Sequence, residues 1–293
     1  MTQPISKAST SKAFLVGINR YKTPGSDLQG CVNDVTNLRD ILLKYFGFTV
    51  KNIRVLTDAR ATKAAILTRI DWLIKDAKAG DRLLFHFSGH GSQIRDRDGD
   101  ELKDQLDEII CPHDMDWDGT FITDDDLRDR FATLPKGVNL EVLLDSCHSG
   151  TGTRNQPTPF SPPSPACGGE GVGYPNPRFL IPPVDIACRA EGEEEDLPKR
   201  NMLKGTSKPI MGITGHVLFA GCRDNQTSAD AYINGSYNGA FTYYLCKHLR
   251  ETQGNITRAD LIKRLRASIK FNGYSQVPQL ETTAAERKKR VLE

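Results

Sequence analysis

The sequence predicts an α/β fold, a parallel sheet with helices on both faces. Two observations carry this. From residue 12 to about 150, short apolar runs alternate with stretches of helical spacing. The runs at 13–18 (AFLVGI) and 81–88 (DRLLFHFS) stay apolar over successive positions, as strands covered on both sides require.

Residues 13–18 read as a buried strand. Residues 31–46 carry helix spacing through Val35, Leu38, Leu42 and Tyr45. Residues 52–57 are a second short strand. An amphipathic helix spans 62–77, with Thr62 as N-cap and Gly80 as its stop. Strands follow at 81–88 and 138–145. Between them lies an acidic excursion, 95–130. Its segments 107–112 and 120–123 read as hairpin arms turning at Asp118-Gly119, and 124–131 as a short helix. Order resumes with a strand at 216–221 and helices at 240–250 and 257–270. Thr257 and Asp260 suit a capping box.

Residues 155–209 differ in kind, holding 11 of the 16 prolines, a Gly-rich run and an acidic stretch. Proline removes backbone donors and glycine adds chain entropy, so regular structure is not expected there. One apolar island, 179–181, is suited to docking.

Composition narrows the function. Lys and Arg number 39 and Asp and Glu 37, a net charge of +2, which makes no electrostatic case for nucleic acid as a partner. No apolar run is long enough to span a membrane, and residues 1–12 are too polar for a signal peptide. The seven cysteines are scattered, odd in number and without a CxxC pair. That argues against a disulfide framework or a zinc site and fits a reducing cytoplasm. The basic cluster 287–290 reads as a solvated, frayed end.

Two motifs carry chemistry. Ser88-Gly89-His90-Gly91 directly follows one strand, and Asp145-Ser146-Cys147-His148-Ser149-Gly150 directly follows another. Ligands of open parallel sheets bind beyond the carboxyl ends of strands. If the two strands are neighbours, His90 and Cys147 meet there. Cysteine attacks as thiolate, and an imidazole can activate it or protonate a leaving amine. The N–H groups of Gly91 and Cys147 are candidates for an oxyanion hole. His148 competes with His90 as base, but its adjacency to Cys147 makes in-line geometry hard. His86 reads as a packed or hydrogen-bonded histidine. Cys111, Cys222 and Cys246 read as small buried hydrophobes.

SGHG followed by DSCHSG resembles the caspase-like cysteine peptidases, specifically the metacaspases and their bacterial relatives, the orthocaspases. The resemblance continues in KAFLVGINRY (12–21), LQGCVND (28–34), LDEIICP (106–112), DDDL (124–127) and AGCRDNQTSADA (220–231). It implies a caspase-like α/β fold with a mostly parallel sheet of about six strands. Within one domain, 12–282, residues 12–150 match the large-subunit part and 213–282 the small-subunit part. The insert 151–212 joins them, and 1–11 and 283–293 are tails, the first disordered and the second basic.

The resemblance also implies a Cys147/His90 dyad, a thioester intermediate and cleavage after Arg or Lys. The family's S1 acids correspond to Asp34 and Asp145, with Cys31 and Ser88 nearby. Two carboxylates in a closed pocket call for a cation, and an aspartate at P1 would be repelled. No cofactor is required on this reading, and a monomer is expected.

Calcium has two readings. Asp114, Asp116, Asp118, Gly119 and Asp125 follow a DxDxDG spacing, which is equally a solvated turn. Many metacaspases bind calcium through acids matching Asp107, Asp124 and Asp125, but a further family acid falls near Arg154. Self-processing in the insert is implied as well, with Arg178, Arg189, Lys199, Arg200 and Lys204 as candidates in an exposed loop. The rivals are a catalytically silent interaction module and a transpeptidase or ligase using the same thioester.

Overall fold

A computed structural model of the chain describes residues 9–95, 106–147, 175–183, 186, 216–223 and 226–293. The element order begins β1 (Ser11–Gly17), α1 (Cys31–Tyr45), β2 (Ile53–Thr57), α2 (Lys63–Ile74) and β3 (Arg82–Ser88). It continues β4 (Gly91–Arg95), β5 (Leu106–Ile110), β6 (Ile122–Thr123), α3 (Asp124–Phe131) and β7 (Asn139–Asp145). Then come β8 (Asn176–Pro177), β9 (Val217–Ala220), β10 (Ala229–Ile233), β11 (Ser236–Gly239) and α4 (Ala240–Glu251). The last are α5 (Arg258–Phe271), β12 (Gln279–Glu281) and α6 (Ala284–Lys288).

The main sheet has six strands in the order β12-β9-β7-β3-β1-β2. All pairs are parallel except β12 with β9. This is the caspase-like α/β architecture expected. Side chains alternate faces along a strand, so each apolar run feeds two cores. Phe14, Val16, Phe85 and Phe87 join α2 and α3 through Ile66, Ile70, Leu127 and Phe131. Ala13, Leu15, Leu84 and Leu143 join α1, α4 and α5 through Leu38, Leu42, Phe241, Leu245 and Leu265.

The predicted N-caps hold, but α2 ends at Ile74, well before Gly80. At Thr257 the Asp260 carboxylate accepts from the Thr257 hydroxyl and not from the backbone N–H a capping box uses. Thr62 accepts from the Ala65 N–H and Thr257 from the Asp260 N–H. Thr123 and Asp126 form a full capping box at α3. The expected hairpin arms pair as β5 and β6. The pairing of β4 with β5 and the β10–β11 hairpin have no counterpart in the sequence reading.

Two expectations need correction. The C-terminal residues are not a frayed tail: α6 is followed by Val291 and Leu292, both buried. The Leu292 N–H donates to Glu141 at 2.6 Å, and buried Arg258 bridges Glu141 and Glu286. A carboxylate on a buried strand needs donors, and the tail supplies one. Part of the insert is also ordered. Residues 176–177 form β8 on β10, and 179–181, the island suited to docking, lies against β4. Of the tails, residues 1–8 lie outside the described residues, and Ser11 already belongs to β1. No helix among the described residues is long and apolar enough to cross a membrane.

Candidate active site

The site stands at the carboxyl edge of the sheet. Strands β3 and β7 are parallel neighbours with Ser88 opposite Asp145, so the turns after them carry His90 and Cys147 to the same edge. Helix α1 presents its first turn there, with Cys31 and Asp34 buried. It packs so closely on the end of β1 that a Cβ on Gly17 would collide with the Cys31 carbonyl. The loop into β10, the hairpin and the start of α4 add Ser228, Asp230, Gly239 and Thr242.

His90 is buried against the Tyr21 ring, centroid to centroid 4.9 Å. Its backbone N–H donates to the Tyr21 hydroxyl at 2.7 Å. Its Nε2 lies 2.8 Å from the Ser26 carbonyl oxygen. A carbonyl only accepts, so this contact requires the proton on Nε2 and leaves a lone pair on Nδ1. Nδ1 is buried without a hydrogen-bond partner. Burial pushes the His90 pKa down to about 4, so the ring is neutral at pH 7.

Cys147 is buried in a small cluster with Phe179 and Cys222. The Ser228 N–H donates to its sulfur. The Cys147 side chain, with burial, holds the Cys222 thiol well above its ordinary pKa, so Cys222 stays protonated.

The acids converge on one cation, and that cation is Arg178 of the insert, fully buried. Its Nη2 lies 2.8 Å from Asp34 and 2.9 Å from Asp230, and its Nη1 3.2 Å from Asp145 and 2.8 Å from the Ser88 hydroxyl. Cys31 sits beside the same guanidinium and contributes to its electrostatics. Each carboxylate has further donors. Gly239 N–H serves Asp34, Ser228 and Thr242 serve Asp145, and Gln29 and Gly30 N–H serve Asp230. Burial raises Asp34 to about 7 despite Arg178. Burial also opposes the charge on Arg178, but the surrounding carboxylates outweigh it, so the guanidinium stays protonated.

The Arg178 backbone is held equally closely. Its carbonyl oxygen accepts from the Gly91 N–H at 3.0 Å and the Cys147 N–H at 3.2 Å, the two predicted oxyanion donors. Its own N–H donates to the Ser228 carbonyl at 3.0 Å. Arg178 is thus held at both ends, its guanidinium among three carboxylates and its carbonyl on two amides. This corrects the exposed-loop picture of Arg178. Arg189, Lys199, Arg200 and Lys204, with His148 and Arg154, lie outside the described residues.

The sequence reading missed Asp230, although it lies in the noted stretch 220–231. It also missed Tyr21, the Ser26 carbonyl and Ser228. A third acid in that stretch was the available signal. The carbonyl of Ser26 had none, because every residue has one.

The residues expected to hold calcium lie on the elements beside β4. Asp107 lies on β5, Asp124 and Asp125 open α3, and Asp125 pairs with Arg128. Asp116 caps the Asp118-Gly119 turn by accepting from the Asp118 and Thr120 N–H groups. Among the described residues no three acidic, histidine or cysteine side chains converge to hold a metal ion.

The chain is similar to known proteins in sequence and in fold. The family described as "Metacaspase, peptidase C14 domain" matches residues 11–154. Metacaspase-1 of Meyerozyma guilliermondii is 32% identical, over 97% of this chain and 72% of that protein. Metacaspase-1 of Schizosaccharomyces pombe is 31% identical, over 92% of this chain and 66% of that protein. The chain thus spans about two thirds to three quarters of these relatives' length. Among solved structures, protein GSU0716 from Geobacter sulfurreducens superimposes with a TM-score of 0.65 at 24% identity, over 97% of this chain and 100% of that one. Caspase-1 from Spodoptera frugiperda gives 0.55 at 14% identity, over 96% of this chain and 93% of that one, a likeness of fold alone. An identity above 30% along nearly the whole chain, on a caspase-like sheet, makes this protein a member of the metacaspase family.

Proposed function

We propose that this protein is a cysteine endopeptidase that cleaves after arginine or lysine through Cys147 and His90, and that its own first substrate is the bond between Arg178 and Phe179. One observation carries the reading. The Arg178 guanidinium is enclosed by Asp34, Asp145 and Asp230 while its carbonyl oxygen rests on the N–H groups of Gly91 and Cys147.

In this reading His90 Nδ1, its tautomer set by Ser26, takes the proton of the Cys147 thiol. The sulfur attacks the Arg178 carbonyl carbon, and the charge on oxygen falls on the two amides. His90 passes the proton to the Phe179 nitrogen, the C–N bond breaks, and a thioester to Arg178 remains. Water, deprotonated by His90, releases the Arg178 carboxylate and restores the thiol. Lysine fits the same acids with one ammonium in place of the guanidinium fork.

The test compares wild type with Cys147→Ala, using intact mass and N-terminal sequencing, together with fluorogenic peptides carrying Arg, Lys or Asp at P1. The reading expects a new terminus at Phe179 in wild type only, and turnover of Arg and Lys substrates. Cleavage after Asp, or cutting by the alanine variant, refutes it. Running each arm in calcium and in excess chelator tests the cation reading of Asp107, Asp124 and Asp125.

A further inference from the structure

Beyond Arg178 the chain leaves β10 and runs along β4. The Gly91 N–H donates to the Arg178 carbonyl, and the Gly91 carbonyl in turn accepts from the Leu180 N–H at 3.0 Å. Gly91 thus pairs in parallel with Phe179, using both its backbone groups. One residue further, the Ser92 hydroxyl donates to the Leu180 carbonyl at 2.6 Å. A Cβ on Gly91 would run into the Cys147 carbonyl, so only glycine lets the peptide and the nucleophile share this strand end. Register is lost by Ile181, which is 63% exposed.

The Phe179 side chain is buried against Cys147 and Cys222. Thiols are soft and polarisable, and an aromatic ring packs well on them. Cys222 lies within the electrostatic reach of Asp145 and Glu108, so an acidic side chain in the same niche meets like charge while losing its water. Leu180 packs partly on the sheet core.

We infer that β4 is a docking strand for the residues after the scissile bond, selecting peptides with a large apolar side chain, aromatic above all, directly after the cleaved arginine and a residue bearing a free N–H next. This rests on the reading of Cys147, His90 and the acidic pocket given above. The substrate class narrows from basic P1 peptides to arginyl–aromatic bonds in an extended segment. Proline two residues after the cut is excluded, because it removes the donor to Gly91.

The experiment uses the full chain after self-cleavage and internally quenched peptides that differ at one position. Phe, Leu, Gly or Asp follows the arginine, with Leu next, and one further peptide has Pro in place of that Leu. An arginyl fluorogenic amide has no residue on this side. The expected kcat/KM order is Phe, Leu, Gly, Asp, with Phe about tenfold or more above Gly and the Pro peptide at least tenfold below its Leu counterpart. Ser92→Ala lowers kcat/KM for the Phe-Leu peptide several-fold more than for the amide. A flat profile with the arginyl amide still turned over overturns the inference and leaves the arginine reading intact. Equal loss on both substrates in Ser92→Ala gives Ser92 a structural role and overturns its part in docking. No turnover of any arginyl substrate by folded protein removes the arginine reading, and the inference with it.

Discussion

The carbonyl oxygen of Arg178 lies 3.0 Å from the amide nitrogen of Gly91, and its guanidinium lies 2.8 Å from Asp34 on a different element. One residue is thus gripped at both ends by parts of the chain far apart in sequence. Helix α1 supplies the carboxylate and the turn after β3 the amide. On the proposed reading, the grip at the side chain selects and the grip at the carbonyl aligns the bond with Cys147.

Arg178→Lys tests the fork. A lysine ammonium cannot reach Asp34, Asp145, Asp230 and Ser88 together as the two guanidinium nitrogens do. Self-cleavage at this bond should slow by roughly tenfold to a hundredfold, and stop in Arg178→Gln. A time course of the fragment beginning at Phe179 measures both. An unchanged rate in the glutamine variant would show that the acids do not govern the choice of bond.

Asp230→Asn removes one carboxylate and keeps an acceptor for only one of the Gln29 and Gly30 N–H groups, which bond different carboxylate oxygens. A hydrogen bond to a charged partner contributes about 1.5–3 kcal/mol, so kcat/KM for an arginyl amide should fall roughly tenfold to a hundredfold. The loss should lie in KM and exceed what the accompanying shift of the unfolding midpoint explains. Steady-state kinetics beside a denaturant curve separates the two.

Acidification should destabilise the fold between pH 6.5 and 4. Burial lowers both His86 and His90 to about 4, so across this window the unfolded chain binds two protons that the folded chain does not. Asp34, raised to about 7, works the other way by one proton. The balance of one proton favours the unfolded state, so stability falls by about 1.4 kcal/mol per pH unit on acidification. His216, lowered by burial, adds in the same direction. His86→Gln should reduce the slope by about that amount, and urea unfolding at three pH values would reveal it. An unaltered slope would mean that His86 is not held neutral.

Arg258→Ala removes the cation from buried Glu141 and leaves it the Leu292 N–H as donor. The guanidinium lies 2.8 Å from that carboxylate, and both side chains are fully buried. Removing one partner of such a pair costs about 3–5 kcal/mol. Replacing both, as in Arg258→Met with Glu141→Leu, should recover much of it. Equal stability of the single and double variants would contradict this.

How much was legible depends on the range of each interaction. His90 and Cys147 were readable because each follows directly on an apolar strand, and strand ends are where parallel sheets build sites. Asp34 came from the resemblance, and its helix from local spacing. Asp230 was passed over because its role needs the β10–β11 hairpin to fold across the start of α1. The insert offered five basic candidates with nothing in composition to choose among them. Arg178 stands apart only because its neighbours can join β10 on one side and β4 on the other. The C-terminal residues were misread because charge at 287–290 masked the apolar pair Val291 and Leu292.

By itself the sequence determined the alternating strands and helices and the placing of His90 and Cys147 just beyond two strand ends. These are encoded by neighbours along the chain, through apolar periodicity and residues next to strand ends. Only the tertiary structure decided which arginine fills the pocket, which carboxylate completes it and which nitrogen of His90 is left free. Those outcomes turn on donors and acceptors brought to about 3 Å from distant segments, a distance that no local pattern records.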